Sequence, residues 1–329
     1  MLRTEHASGR APAASVPKTM KAAVVDAAGP PDAFRITDVP VPPLKRDHAI
    51  IALDFASVGI WDAKERAGEW RDIKSGTILG ADGAGTVVAV GERVEHLGVG
   101  DRVYAYSYDN REGGFYAEYV SVLGDRAARV PPQIRQDIAG AMPCVALTAL
   151  AGLEALGVKR DEVLLVFGAS GGVGSLGVWL GSGMKAKVVG TARPDALEYV
   201  HALGAMHVIS PHARRLESVI ARASLPGWDA ALVTANGDTL AAFLAHLKHG
   251  APVAYPEGVE PEPVAARHPV IGVNGVSSRK TFERLEEAIG ERVLPLELAV
   301  YPLAEVAEAH RRVERGHVVG KIVLRIRES

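Results

Sequence analysis

The sequence predicts an α/β chain in two parts, a barrel-like β region followed by a doubly wound parallel sheet. Three observations carry this. From Met20 to about residue 135, short strand-like runs are separated by glycine and proline turns. From Gln136 onward, short apolar runs alternate with helical stretches. At the centre, Val163-Leu164-Leu165-Val166-Phe167 is apolar without alternation, as in a parallel strand covered on both faces.

Taken in order, residues 1–19 are rich in Ala, Pro, Ser and basic residues and lack an apolar signal core, so they are expected to form a mobile extension. Strands are expected at 21–25, 34–39, 48–58, 85–91 and 101–106, with a short helix at 60–68. Pro40, Pro42 and Pro43 end the second of these strands. The parallel strands are placed at 162–167, 187–190, 207–209, 229–233 and 251–254, with helices between them. Helices at 285–289 and 303–313 and a last strand at 320–326 complete the chain.

The central strand opens into Gly168-Ala169-Ser170-Gly171-Gly172-Val173-Gly174 and then a helix through Leu180. Glycines let a ligand approach the backbone, and the helix start offers free N–H groups and the positive end of its dipole. Strand, glycine turn and helix in that order read as a diphosphate site, the plain alternative being a glycine-rich turn with no ligand. Gly168 to Gly172 also fits G-x-S-x-G, which keeps a serine hydrolase using Ser170 open. The next strand ends in Thr191-Ala192-Arg193. Sites for NAD usually carry Asp or Glu about 20 residues after the glycines, on the ribose 2′-OH. Here no carboxylate opposes a 2′-phosphate and Arg193 can pair with one, so NADPH is expected over NADH. Asp195 nearby weakens that preference.

Composition bounds the rest. At 329 residues two domains are expected, and 48% hydrophobic with 23% charged residues is ordinary globular composition. A net charge of −2 makes no electrostatic case for nucleic acid or an acidic membrane, and no apolar run reaches membrane-spanning length. The single cysteine, Cys144, excludes an intramolecular disulfide and a thiolate-rich zinc site, and fits a cytoplasmic setting. A buried inert thiol is its expected state.

Several blocks in this order resemble the medium-chain dehydrogenase/reductase superfamily, and within it the zinc-free quinone oxidoreductase (zeta-crystallin-like) branch. They are Met20-Lys21-Ala22-Ala23-Val24-Val25, Leu79-Gly80-Ala81-Asp82-Gly83-Ala84-Gly85, Gly100-Asp101-Arg102-Val103, Gly113-Gly114-Phe115-Tyr116-Ala117-Glu118, Leu147-Thr148-Ala149, the glycine loop and Gly320-Lys321-Ile322-Val323-Leu324. The resemblance implies a GroES-like catalytic domain (20–144 and 278–329) with a Rossmann nucleotide-binding domain (145–277) inserted, and a homodimer or homotetramer. It also places Thr148 near the nicotinamide, Ser170, Gly171, Gly172, Val173 and Gly174 on the diphosphate, and Thr191, Ala192 and Arg193 at the adenosine end. Tyr255 and Asn274 follow later strands on the same sheet edge.

Departures from the family pattern are as informative. Zinc-dependent members carry a cysteine in the loop matching Ser57–Asp62 and a histidine where this chain has Ala81, so no metal is expected. Where the branch has Asn-Pro-Val-Asp, this chain reads Gly59-Ile60-Trp61-Asp62. Trp61 and Asp62 are the candidate catalytic residues, Trp61 by shaping the substrate site. A helix-start carboxylate is the structural alternative for Asp62. Without a metal, quinones and α,β-unsaturated carbonyls suit hydride transfer because they delocalise the developing charge themselves. The expected activity is NADPH-dependent reduction of a quinone or an enone. The alternative is a crystallin-like member that binds NADPH and serves as a structural or RNA-binding protein.

Overall fold

The computed structural model describes residues 16–224 and 226–327. The expectation for the N-terminal extension rests mainly on residues 1–15, which lie outside the described residues; Thr19 already begins a strand. The chain runs β1 (Thr19–Val25), β2 (Arg35–Pro40), β3 (His48–Val58), α1 (Ile60–Ala67), β4 (Thr77–Ile78), β5 (Asp82–Val90), β6 (Arg102–Tyr106), β7 (Tyr119–Leu123) and β8 (Ala127–Arg129). After α2 (Gln136–Ala141) and α3 (Pro143–Leu156) come β9 (Val163–Phe167), α4 (Gly172–Gly183), β10 (Lys187–Thr191), α5 (Leu197–Ala202), β11 (His207–Ile209), α6 (Leu216–Ala223), β12 (Ala230–Val233), α7 (Leu240–Leu244), β13 (Val253–Pro256) and β14 (Val270–Val273). The chain closes with α8 (Arg279–Ile289), β15 (Leu298–Pro302), α9 (Val306–Glu314) and β16 (Lys321–Arg325).

The first part is organised around β3, which pairs antiparallel with β5, β7 and β16. Its sheet runs β15-β16-β3-β5-β6-β8, so the last strand of the chain sits beside the third. Ala49, Ile51, Leu53, Ala56 and Val58 of β3 are buried together with Ile322 and Leu324 of β16. Burying one such side chain contributes about 1.5–3 kcal/mol, so the C-terminal strand is held by core packing as well as by its ladder. β5 begins at Asp82, three residues before the expected Gly85. Gly83 and Gly85 lie within it because a Cβ on Gly85 would stand 2.0 Å from the Ala52 oxygen, where β3 changes register. Glycine there permits a close strand approach across a bulge.

The second sheet is parallel, ordered β11-β10-β9-β12-β13-β14. The strand order reverses next to β9, which places a crevice at the carboxyl ends of β9 and β12. α3 packs on this sheet and on α4. The expected division after residue 144 falls inside α3, which starts with Pro143 in its first turn and runs unbroken to Leu156.

Several elements lie outside the sequence expectation. β4, β7, β8, β14 and β15 are short or edge strands whose pairing partners, not their composition, make them strands. β13 begins two residues later than expected, at Val253. α8 starts at Arg279 rather than 285 because Ser278 caps it, accepting from Thr281 N while Thr281 returns a bond to Ser278 N. The helix expected at 303–313 opens with a 3-10 turn and is regular from Val306.

Candidate active site

The site is a cleft of about 180 Å³ between the glycine loop and the C-terminal strand of the other sheet. Its floor is the start of α4, with Gly171 at the cap and Gly172, Val173 and Gly174 in the first turn. A Cβ on Gly174 would stand 2.1 Å from the Gly168 oxygen, and one on Gly172 would stand 2.8 Å from Lys321 Cδ. The loop is thus a bare backbone cradle with helix N–H groups facing the cleft, a fit for a dinucleotide diphosphate. Both flanking strands pin it. Thr191 Oγ1, at the end of β10, accepts from Gly168 N (2.9 Å). Thr234, after β12, donates to the Phe167 and Gly168 oxygens at 2.9 and 3.0 Å.

The facing wall comes from residues far away in sequence. Gly320 N donates to the Ser170 oxygen at 2.8 Å, which ties the C-terminal segment to the glycine loop. Gly320 has φ +68, and a Cβ there would meet the Glu297 oxygen at 2.0 Å, so only glycine makes this turn. Lys321 follows, 4% exposed, its Nζ donating to the Val58 oxygen at 3.0 Å and lying 4.8 Å above the Trp61 ring. It is the charged side chain among the residues lining the cleft.

Trp61 lines the cleft as well, in the first turn of α1. Asp62, next along that turn, does not line it. Its Oδ2 accepts from Gly59 N at 2.7 Å, which caps α1, and the carboxyl is buried. Burial pushes Asp62 up to about 8, with the Gly59 N–H and the Lys321 charge pulling the other way and Asp82 adding to the rise. Asp82 accepts from Cys144 N at 3.0 Å and so caps α3; burial pushes it up to about 6, opposed first by Lys321. Its Oδ1 has no hydrogen-bond partner among the described residues. Burial and Asp82 also push the Cys144 thiol up, which keeps it protonated and unreactive. Beyond Asp62 lies a buried chain. Tyr116 sits beside Asp62, its hydroxyl meets His310 Nε2 at 3.3 Å, and His310 Nδ1 faces Arg66 Nη1 at 3.1 Å.

Of the residues expected at the site, the structure brings Trp61, Gly171, Gly172, Val173 and Gly174 into one cleft. Thr148 is buried in α3, where its hydroxyl donates to the Cys144 oxygen and accepts from Gly275 N. Ser170 contributes its backbone oxygen to Gly320, and the histidine contacts among the described residues go elsewhere. The hydrolase reading therefore lacks its base. Ala192 is buried and Arg193 is exposed, with Asp195 4.0 Å away; both stand at the β10 end, outside the cleft. Tyr255 and Asn274 turn toward an acidic loop, Tyr255 beside Glu262 and Asn274 donating to Glu257. Sequence reasoning passed over Lys321, Val145 and Thr234. Lys321 stands in the block that resembles the family's last strand, where neighbours in sequence give no sign of the cleft it faces.

Among the described residues, no group of three His, Cys, Asp or Glu could hold a metal. Residues 45–132 match the alcohol dehydrogenase GroES-like domain and residues 203–324 the zinc-binding dehydrogenase family. Over 321 residues the chain is 30% identical to the NADPH-dependent alkenal/one oxidoreductase, chloroplastic, of Arabidopsis thaliana, spanning 94% of this chain and 81% of that one. The solved quinone oxidoreductase of Coxiella burnetii is similar in fold, with a TM-score of 0.80 at 26% identity, covering 94% of this chain and 100% of that one. A mycobacterial protein solved in complex with NADPH is similar at TM-score 0.78 and 25% identity, over 93% of this chain and 100% of that one. With two sheets arranged as a GroES-like domain and a Rossmann domain, and these relatives, the chain belongs to the medium-chain dehydrogenase/reductase superfamily of NAD(P)-dependent oxidoreductases, in its zinc-free quinone oxidoreductase branch.

Proposed function

We propose that the protein reduces a quinone or an α,β-unsaturated carbonyl with NADPH, without a metal. The observation that carries this is the cleft itself: a bare glycine cradle at the start of α4, walled by Trp61 and the buried Lys321 ammonium, with Ala81 where zinc-dependent relatives place a histidine. When bound there, the reduced nicotinamide supplies a hydride. Gly171, Gly172, Val173 and Gly174 would hold the diphosphate, and the Lys321 stem lies against Gly172, so its charge is available to an anionic oxygen of the ligand. Val145, Val313 and Val318 line the rest and keep water from the reacting carbon. Thr148 and Asp62 act as positioning residues, the first by fixing α3 to Gly275 and the second by capping α1 under Trp61.

Arg193 supports NADPH over NADH, because its exposed guanidinium stands at the β10 end where a 2′-phosphate would lie, with Asp195 at 4.0 Å competing for it. A homodimer or homotetramer built on the β14 edge of the parallel sheet, and a cytoplasmic setting, belong to the same proposal. No helix among the described residues is long and apolar enough to cross a membrane.

The test is a fluorescence titration of NADPH and NADH with wild type and Arg193→Ala, followed by a panel of quinones, enones and alcohols. NADPH affinity falling about tenfold in the variant, as loss of a charge-assisted contact of about 1.5 kcal/mol implies, with quinone or enone turnover, is the expected result. Equal binding of both nucleotides would discard the 2′-phosphate argument. Turnover of simple alcohols alone would discard the acceptor assignment.

A further inference from the structure

Trp61 holds a donor with nothing to receive it. Its Nε1–H is buried and meets no acceptor among the described residues, although the indole lines the cleft beside the glycine loop. Leaving such a group unpaired costs about 1–3 kcal/mol, so its persistence calls for a reason. The position of the ring has a cause in the sequence. A Cβ built on Gly59 would stand 2.2 Å from Trp61 Cε2 and 2.3 Å from Cζ2. The indole occupies the ground that any side chain at 59 would need, and the two positions exclude each other. The Lys321 ammonium already engages the ring face, at 4.8 Å from its centroid. The edge N–H is the polar feature left over. The indole as a whole is only partly buried, and presenting that N–H to a bound carbonyl takes a turn of the ring about its side-chain torsions.

We infer that the Trp61 Nε1–H is the hydrogen-bond donor to the acceptor's carbonyl oxygen, taking the place of a polar side chain at position 59. This rests on the reductase reading above. The β-carbon of an enone gains hydride from reduced nicotinamide, the C=C π pair moves to form the enolate C=C, and the carbonyl π pair ends on oxygen. Negative charge thus collects on that oxygen, and a proton from water then completes the α-carbon. An indole N–H is donor only and does not ionise at neutral pH, so it meets the oxyanion without becoming a competing acid. For a quinone the same bond meets the first oxygen to become a phenolate.

The test uses 4-(dimethylamino)cinnamaldehyde, whose long-wavelength absorption moves to the red when its carbonyl is polarised, bound to the protein with NADP+ so that no turnover occurs. We expect a red shift in wild type. We expect Trp61→Phe to bind the probe with that shift largely lost, while its far-ultraviolet circular dichroism and nucleotide binding stay at wild-type values. Its kcat/KM for enones should fall about 10²–10³-fold, mostly in kcat, as for loss of one oxyanion donor. Gly59→Asn/Trp61→Val, which exchanges the donor between the two positions, should recover part of the shift. In unaltered protein, the hydrogen-bond-sensitive indole band in the ultraviolet resonance Raman difference spectrum should move when the probe binds. An unchanged indole band, or a Trp61→Phe variant with the full red shift and full kcat, overturns the donor role and leaves the reductase standing. A wild-type protein that neither binds the probe nor reduces any quinone or enone removes both.

Discussion

Asp62→Asn tests how burial sets the chemistry beneath the cleft. The side chain is 1% exposed, and burial pushes its carboxyl from 3.8 up to about 8. In the unfolded chain the group ionises near 3.8, so between that pH and 8 the folded state holds a proton that the unfolded state has released. Folding stability from this group is therefore complete below pH 3.8 and is lost as pH rises toward 8. One pKa unit corresponds to about 1.4 kcal/mol, so between pH 5 and 7 the wild type loses about 3 kcal/mol through Asp62. Asparagine keeps an oxygen to accept from Gly59 N and cannot ionise, so the α1 cap stays and the pH dependence goes. Asp82, also raised by burial, is common to both proteins and cancels in the difference. Urea unfolding at pH 5 and pH 7 measures this directly. The variant should gain about 3 kcal/mol relative to wild type on going from pH 5 to 7. A variant-minus-wild-type difference that is the same at both pH values would mean that Asp62 is already ionised in the fold, and the burial argument would fail.

Two further outcomes follow from the same geometry. Gly174→Ala puts a methyl 2.1 Å from the Gly168 oxygen, so the loop must open; nucleotide binding should be lost in the fluorescence titration, while far-ultraviolet circular dichroism stays native. His310 is buried and its pKa is lowered to about 3, first by desolvation and then by Arg66. It stays neutral in the fold while the unfolded histidine takes up a proton near 6.5, so stability falls as pH drops from 6.5 toward 3. His310→Gln, which can still accept from Arg66 and donate to Tyr116, should flatten that acid limb by about 1.4 kcal/mol per pH unit in urea unfolding.

Much of the architecture is legible without coordinates because it is encoded locally. The unbroken apolar run of β9, the glycines after it and the alternation of strands and helices beyond Gln136 each lie within a short window, and each has one cheap structural solution. The short edge strands were not legible, since β7 and β15 are strands only because β3 and β16 offer them a ladder. The candidate site divides along the same line. Gly171, Gly172 and Gly174 announce themselves by spacing. Asp62, a catalytic candidate in the sequence with a helix-start carboxylate as its structural alternative, accepts from Gly59 N and caps α1.

What the sequence by itself determined is the fold class, the glycine turn between β9 and α4 and the residues that stand where the family's zinc ligands would, because these depend on residue type and near neighbours. What only the tertiary structure decided is the far wall of the cleft and its electrostatics. Lys321 reaches the Val58 oxygen across 263 residues of chain, and Gly320 hands its N–H to Ser170 through a turn that admits no side chain. Trp61 settles on Gly59 under that ammonium, and Asp62 is lifted toward neutrality by the layers that close over it. Solvent exclusion and through-space charge set these properties, and both are sums over neighbours that only the folded chain brings together.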